Sequence, residues 1–267
     1  MSQKQFKNLK IWITILSCIL SFFMKSNIDW TNFQNNYVDW QLVKEILYDL
    51  SVGVFSAMIL VWFIDEINNK MQERKSQLRE KDVIKRFDKV LQNYIKQYEL
   101  TFYCVATPLL ERKFQNVYMP ERFTLKDMRD LYQPSLLLRD KLSSCSIDSF
   151  LKIELELRKE FISLVEQHDF EFYPQFSELF LSYIQTSLAF DNRQAILDVP
   201  SRMMGNRKLA DFVHELLDVH ADNYYQRILN GEDIGPNMAY SYIFLYEMMK
   251  AERKIILKYK EEIKKLG

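Results

Sequence analysis

The sequence predicts an all-α protein, a two-helix transmembrane hairpin at the N-terminus followed by a helical bundle. Three observations carry this. The 267 residues include only 5 Gly and 6 Pro, too few for the turns of a β-rich fold. Two uncharged apolar runs, 11–24 and 50–64, lie close together near the start. Neither Gly nor Pro occurs between Val54 and Thr107, so one helix can leave the second run and continue.

The first run lies between Lys10 and Lys25, the second between Asp49 and Asp65. With flanking apolar residues they predict helices over about 9–25 and 46–66. Their uncharged parts measure roughly 21 to 23 Å at 1.5 Å per residue, shorter than a bilayer core of about 30 Å. Both runs read as apolar all round, unlike the one-sided helices of a soluble core. Tryptophans flank them, Trp12 and Trp62 at one end and Trp30 and Trp40 at the other, as membrane-interface anchors do. Lys4, Lys7 and Lys10 precede the first run without an acid, and Lys70, Arg74, Lys75 and Arg79 follow the second. By the positive-inside rule both termini are expected in the cytoplasm. A basic start with a short apolar run also suits a signal peptide, but no small-x-small cleavage site follows. Ser17 and Ser21 on the first helix, and Gly53, Ser56 and Ala57 on the second, are small residues at packing spacing. They serve packing within one hairpin or between several.

The expected organisation is a hairpin over 1–66, a basic helical stalk over 67–82, and a cytosolic bundle over 83–267. The stalk is almost wholly polar, and its cations suit anionic lipid headgroups. Ile84, Phe87, Leu91, Tyr94, Ile95, Tyr98, Phe102 and Val105 then recur at three- and four-residue steps, giving one apolar face. Beyond Pro108 a loop leads to Thr124 and Asp127, which resemble a capping box. Further helices are expected from Pro134 to about Ser144, from a cap at Asp148 to about Gln167, and from Pro174 to about Phe190. Another is expected from a cap at Asn206 to Leu229, closed by Asn230-Gly231, and the last runs from beyond Gly235-Pro236 to Leu266. No confident strand, internal repeat or low-complexity tract is read.

Chemistry-bearing patterns are sparse. Lys+Arg and Asp+Glu balance at 36 each, so net charge does not argue for nucleic acid. Cys18, Cys104 and Cys145 form no metal or disulfide pattern, and three histidines leave little for a metal site. No metal, cofactor or small-molecule substrate is expected. Arg207 and His214 share a face if both lie on one helix. Asp211, Glu215, Asp218 and Asp222 form an acidic stripe at spacings of four, three and four, a candidate metal ladder or the wet side of a helix.

Two resemblances follow from these residues. Arg207 with His214 resembles the R-x4-6-H motif of HEPN ribonucleases, with Lys208 where those enzymes usually carry a polar uncharged or acidic residue. That likeness implies a membrane-tethered ribonuclease acting as a pair of subunits. The spans Ile11–Met24 and Leu50–Ile64, with the basic stretch after Asp65, resemble the two-transmembrane effectors of bacterial anti-phage systems, retron-associated membrane effectors above all. This second resemblance implies no enzyme activity. It implies an effector in the bacterial inner membrane, held inactive by a regulatory protein or ribonucleoprotein partner and self-assembling to disrupt the bilayer. A passive tether for a cytosolic binding module is the further alternative.

Overall fold

The computed structural model describes residues 3–26, 40–113, 115, 117–135, 145–190 and 192–267; for 3–7 and 40 it describes the backbone alone. The chain is helical almost throughout. It divides into two compact units, Met1–Leu78 and Arg79–Gly267.

The first unit holds α1 (Gln3–Lys25) and the opening part of α2 (Trp40–Val105). Both helices are longer than the apolar runs that announce them. The 23 residues of α1 measure about 34 Å at 1.5 Å each. The α2 helix runs unbroken for 66 residues, as the lack of Gly and Pro after Val54 permits. From Glu66 to Arg79 every residue of α2 is exposed. The helix is supported there by a Glu66–Lys70 pair at 3.2 Å, acid N-terminal to base, the favourable order along a helix.

The second unit is a bundle built on the rest of α2, α3 (Ser146–Gln167), α4 (Pro174–Ala189) and α8 (Ala239–Leu266). Each buries a stripe of three- and four-residue steps, and the stripes meet in an aromatic core. Tyr98 and Phe102 of α2, Phe150 and Phe161 of α3, Phe176 and Tyr183 of α4, and Tyr242 and Tyr259 of α8 are almost wholly buried. Phe161 stacks on Phe180 at 4.8 Å and meets Tyr183 edge-on at 4.9 Å.

Several expectations change in detail. Thr124 and Asp127 do form a local cap: the Asp127 carboxylate accepts from the Thr124 backbone N–H at 2.7 Å and from its hydroxyl at 3.0 Å. They open only a single 3-10 turn, Lys126–Met128. The helix expected from Pro134 falls on 136–144, outside the described residues, and Pro134 itself bridges to Cys145. Asp148 is not a cap. The α3 helix starts at Ser146, whose N–H and hydroxyl both donate to the Gln133 carbonyl at 3.0 Å. Asn206 is not a cap either. It sits with Gly205, at φ 61°, in the turn of a small hairpin joining β1 (Met203–Met204) to β2 (Arg207–Lys208). The following helix begins at Leu209 as α6 (Leu209–Glu215), passes through a π turn at Leu216–His220, and ends as α7 (Ala221–Leu229). The short α5 (Arg193–Leu197) lies just beyond α4.

Candidate functional site

The hairpin is built the reverse of a water-soluble helix pair. On α1 the covered positions are Lys10, Ile11, Thr14, Ser17, Leu20, Ser21, Met24 and, at its end, Ser26. On α2 they are Val43, Lys44, Leu47, Tyr48, Ser51, Phe55, Met58 and Asp65. Lys10, Thr14, Ser17, Ser21 and Met24 step by fours and threes, as do Lys44, Tyr48, Ser51, Phe55 and Met58, the spacing with which two helices keep one seam in register. Their ends fix the pairing as antiparallel. Lys10 is ion-paired with Asp65, and Lys44 Nζ donates to the Ser26 carbonyl at 3.3 Å. Between these ends four hydroxyls line the seam among apolar side chains, and each is satisfied by its own helix. Thr14 donates to Lys10 O at 2.8 Å, Ser17 to Thr14 O at 3.0 Å, Ser21 to Ser17 O at 2.8 Å and Ser51 to Leu47 O at 2.6 Å.

The outward surface is the apolar one. Leu16 and Phe22 of α1 are 68% and 82% exposed, and Leu60 and Phe63 of α2 are 62% and 68% exposed. In water such a surface would associate or collapse, whereas in hydrocarbon it is the ordinary lipid face. Both helices are long and apolar enough to cross a membrane. The expectation of segments apolar all round is thereby corrected: Thr14, Ser17, Ser21 and Ser51 are gathered into the seam, and Ser56 stays on the outer face. Trp12 and Trp62 stand exposed near the Lys10–Asp65 end. Trp30 lies outside the described residues, and Trp40 opens α2.

The small residues divide into two sets. Ser17 is buried and Ser21 half-buried, both in the seam. Gly53, Ser56 and Ala57 are exposed, and a Cβ placed on Gly53 would meet nothing within 4 Å. The α2 small residues are therefore not used inside the hairpin. Thr14, Ser51 and the Lys10–Asp65 pair are seam residues that the sequence reading missed. The signal for them was the alternation of four- and three-residue steps within an otherwise apolar run. Lys70, Arg74, Lys75 and Arg79 lie on the exposed length of α2; Arg74, Lys75 and Arg79 make no ion pair with a described residue.

Arg207 and His214 do not share a helix. Arg207 belongs to β2, two residues before α6 begins, and its Nη1 pairs with Glu215 at 2.7 Å. His214 directs Nε2 to Asp130 at 3.2 Å, and Asp130 also accepts the Leu109 N–H at 2.7 Å. Each residue is engaged by a different carboxylate, so no Arg–His pair is assembled within one chain.

The acidic stripe is dispersed as well. Glu215 faces Arg207, whereas Asp218 faces Lys126 at 3.5 Å and Arg129 at 3.7 Å. The π turn between them changes the helical phase and buries Leu216 and Leu217 side by side. Partial burial raises Asp222 above the usual carboxylate range. Among the described residues no group of three or more His, Cys, Asp or Glu is placed to hold a metal.

One buried polar cluster went unread in the sequence. Glu154 of α3 and Glu252 of α8 are both fully buried. Glu154 accepts from Arg193 Nη2 at 2.7 Å and from the Ser187 hydroxyl. Glu252 Oε2 accepts from Tyr98 Oη at 2.8 Å, linking α8 to α2. Burial first, and then the negative charge of Glu154, raise Glu252 well above the usual carboxylate range. These effects favour the neutral form of Glu252, whose Oε1 meets no hydrogen-bond partner among the described residues. Burial likewise raises the Tyr98 and Tyr183 phenols. The Glu154 carboxylate is balanced by Arg193, and Arg158 Nη1 donates to the same Ser187 hydroxyl at 3.1 Å, so charge of both signs meets at the cluster, as a low-dielectric core requires. Its hydrogen bonds tie α8 to α2, and α3 to α4 and Arg193, so the cluster links the core helices. Signals for it were present: Glu154 sits in the apolar series Phe150, Leu157, Phe161, and Glu252 in Leu245, Met249, Ile256, Tyr259.

The sequence matches no protein-family model, no curated protein and no solved structure.

Proposed function

We propose that this chain is a multi-pass protein of the bacterial inner membrane with both termini in the cytoplasm, and that it acts as a membrane-disrupting effector of anti-phage defence. The observation that carries the membrane part is the hairpin, with hydroxyls and the Lys10–Asp65 pair inside and apolar side chains outside. The cations after Asp65 favour the cytoplasmic placement of the second unit. The effector part draws on three features. The uncharged spans are short, and mismatch with a thicker bilayer promotes helix association. Gly53, Ser56 and Ala57 point away from the seam, leaving a close-packing face for neighbouring hairpins. The bundle offers no assembled catalytic pair and reads as the part that a regulatory protein or ribonucleoprotein holds.

Expression of the full chain in cells carrying a membrane-potential dye tests the reading. Depolarisation before loss of viability is expected, and replacing the hairpin with an unrelated one of equal length abolishes it. Cell death with the potential intact, or toxicity that survives the hairpin exchange, refutes disruption in favour of a tether.

A further inference from the structure

The exposed length of α2 carries an apolar line that nothing among the described residues covers. From Glu66 to Arg79 the apolar residues are Ile67, Met71 and Leu78, and they are 44%, 51% and 62% exposed. With Arg74 they step by four, three and four, so all lie on one side of the helix. Every other position of this stretch is polar. The same steps continue backwards without a break through Ile64, Leu60, Ala57 and Gly53, all exposed. At 100° per residue this line lies on the side of α2 opposite Ser51, Phe55 and Met58, the positions covered by the seam. The α2 helix thus has two faces of coiled-coil spacing, of which α1 takes one.

We propose that the second face, Gly53–Leu78, is the contact between two or more copies of this chain, which associate in parallel through α2 as a coiled coil running from the membrane into water. The inference rests on the membrane reading of the hairpin and deepens it by naming the assembling surface. Continuity selects the occupant. The line has one register on both sides of the bilayer boundary, marked by Trp62 and the Lys10–Asp65 pair. Its partner must therefore be a helix that leaves the membrane at the same level and presents apolar residues on both sides of it. A second α2 has both properties by identity, and a rotation axis along the helices is the closed symmetry that brings them together. The residue sizes agree with the medium. Gly53 and Ala57 allow close approach in lipid, where small residues drive contact. Larger Ile67, Met71 and Leu78 stand where water drives it. Arg74 is the one charged side chain in the line, and a single polar core residue fixes register at a cost in stability. Lys75, which makes no ion pair with a described residue, flanks the line, so like charge also opposes closure and holds the association below its full strength, whereas Lys70 is offset by Glu66.

Single-cysteine crosslinking of the full chain in native membranes reads this face directly. The three native cysteines are kept, and the unsubstituted chain sets the background. Substitutions I67C, M71C, R74C and L78C are expected to give a dimer band on oxidation or with a short bis-maleimide. N69C, E73C and S76C, on the far side of the helix, are expected to stay at background. Arg74→Leu combined with M71C is expected to raise the yield severalfold. A flat profile, a maximum at 69, 73 and 76, no crosslink at any position, a product of mass other than twice the chain, or an unchanged yield with Arg74→Leu each overturns the proposal. Carbonate extraction of the same membranes separates the two readings. A chain that stays in the pellet with a flat profile refutes the coiled coil alone, and a chain released to the supernatant refutes the membrane hairpin.

Discussion

Replacing Glu252 with Gln should make the protein less sensitive to alkali, an unusual sign for removing a buried, hydrogen-bonded acid. In the unfolded chain Glu252 titrates near 4.5, and in the folded chain burial and Glu154 hold it well above that. A group with a raised folded value contributes stability that is fully present below the unfolded value and is lost as pH rises toward the folded one. One proton is involved, so the loss approaches about 1.4 kcal/mol for each pH unit within that window. Gln keeps the shape, accepts from Tyr98 as the neutral acid does and offers Glu154 an N–H, yet it does not titrate. Urea unfolding of the detergent-solubilised chain at fixed salt, in half-unit steps from pH 5 to pH 8, measures both slopes. The wild-type curve should fall more steeply than that of Glu252→Gln, the two diverging steadily with pH. Parallel curves would refute the neutral form of Glu252 in the fold.

The partner position behaves differently. Glu154→Gln leaves Arg193, only 20% exposed, without its carboxylate and should destabilise the fold by about 3 kcal/mol, measured by the same titration. Phe161→Ala, which removes the ring between Phe180 and Tyr183, should cost roughly 3 to 5 kcal/mol and lower the thermal midpoint accordingly. Arg207→Ala breaks only a pair whose two side chains are half exposed, and its effect should stay below about 1 kcal/mol, with Glu-free controls such as Glu215→Gln giving the same result. Ser51→Leu forces a large side chain into a position 2% exposed within the seam; loss of the hairpin's protease protection in membranes is expected, and unchanged protection would argue against the seam.

Helix periodicity made most of the fold legible. The stripe from Ile84 to Val105, the Pro174 start and the Asn230-Gly231 stop all stand in the structure where the spacing puts them. Boundaries failed where tertiary contacts replace local caps. Ser146 is held by the Gln133 carbonyl from a distant loop, and no residue near Asp148 announces that bond. The Met203–Lys208 hairpin is too short for an alternating pattern, so Gly205-Asn206 reads equally well as a helix entry. The Arg207–His214 pair failed for the same reason, since its geometry presumes a helix two residues longer than the one that forms. The seam and the Glu154–Glu252 pair were obscured by a habit of averaging. An apolar run hides three serines and a threonine, and an amphipathic helix hides a carboxylate, unless each residue is placed on its own face.

The Lys10–Asp65 pair also bears on how the hairpin enters a bilayer. Each charge, carried alone to the membrane centre on a single helix, costs about 2.5 to 3.5 kcal/mol by insertion scales, a cost reduced near the ends. The two residues are separated by 55 positions of chain, so α1 is complete long before its counter-charge is synthesised. On the proposed membrane reading, the first helix is thus an imperfect insertion signal, and the second supplies what it lacks. Entry into lipid is then expected to be a joint event, with the two helices partitioning together once Asp65 is present.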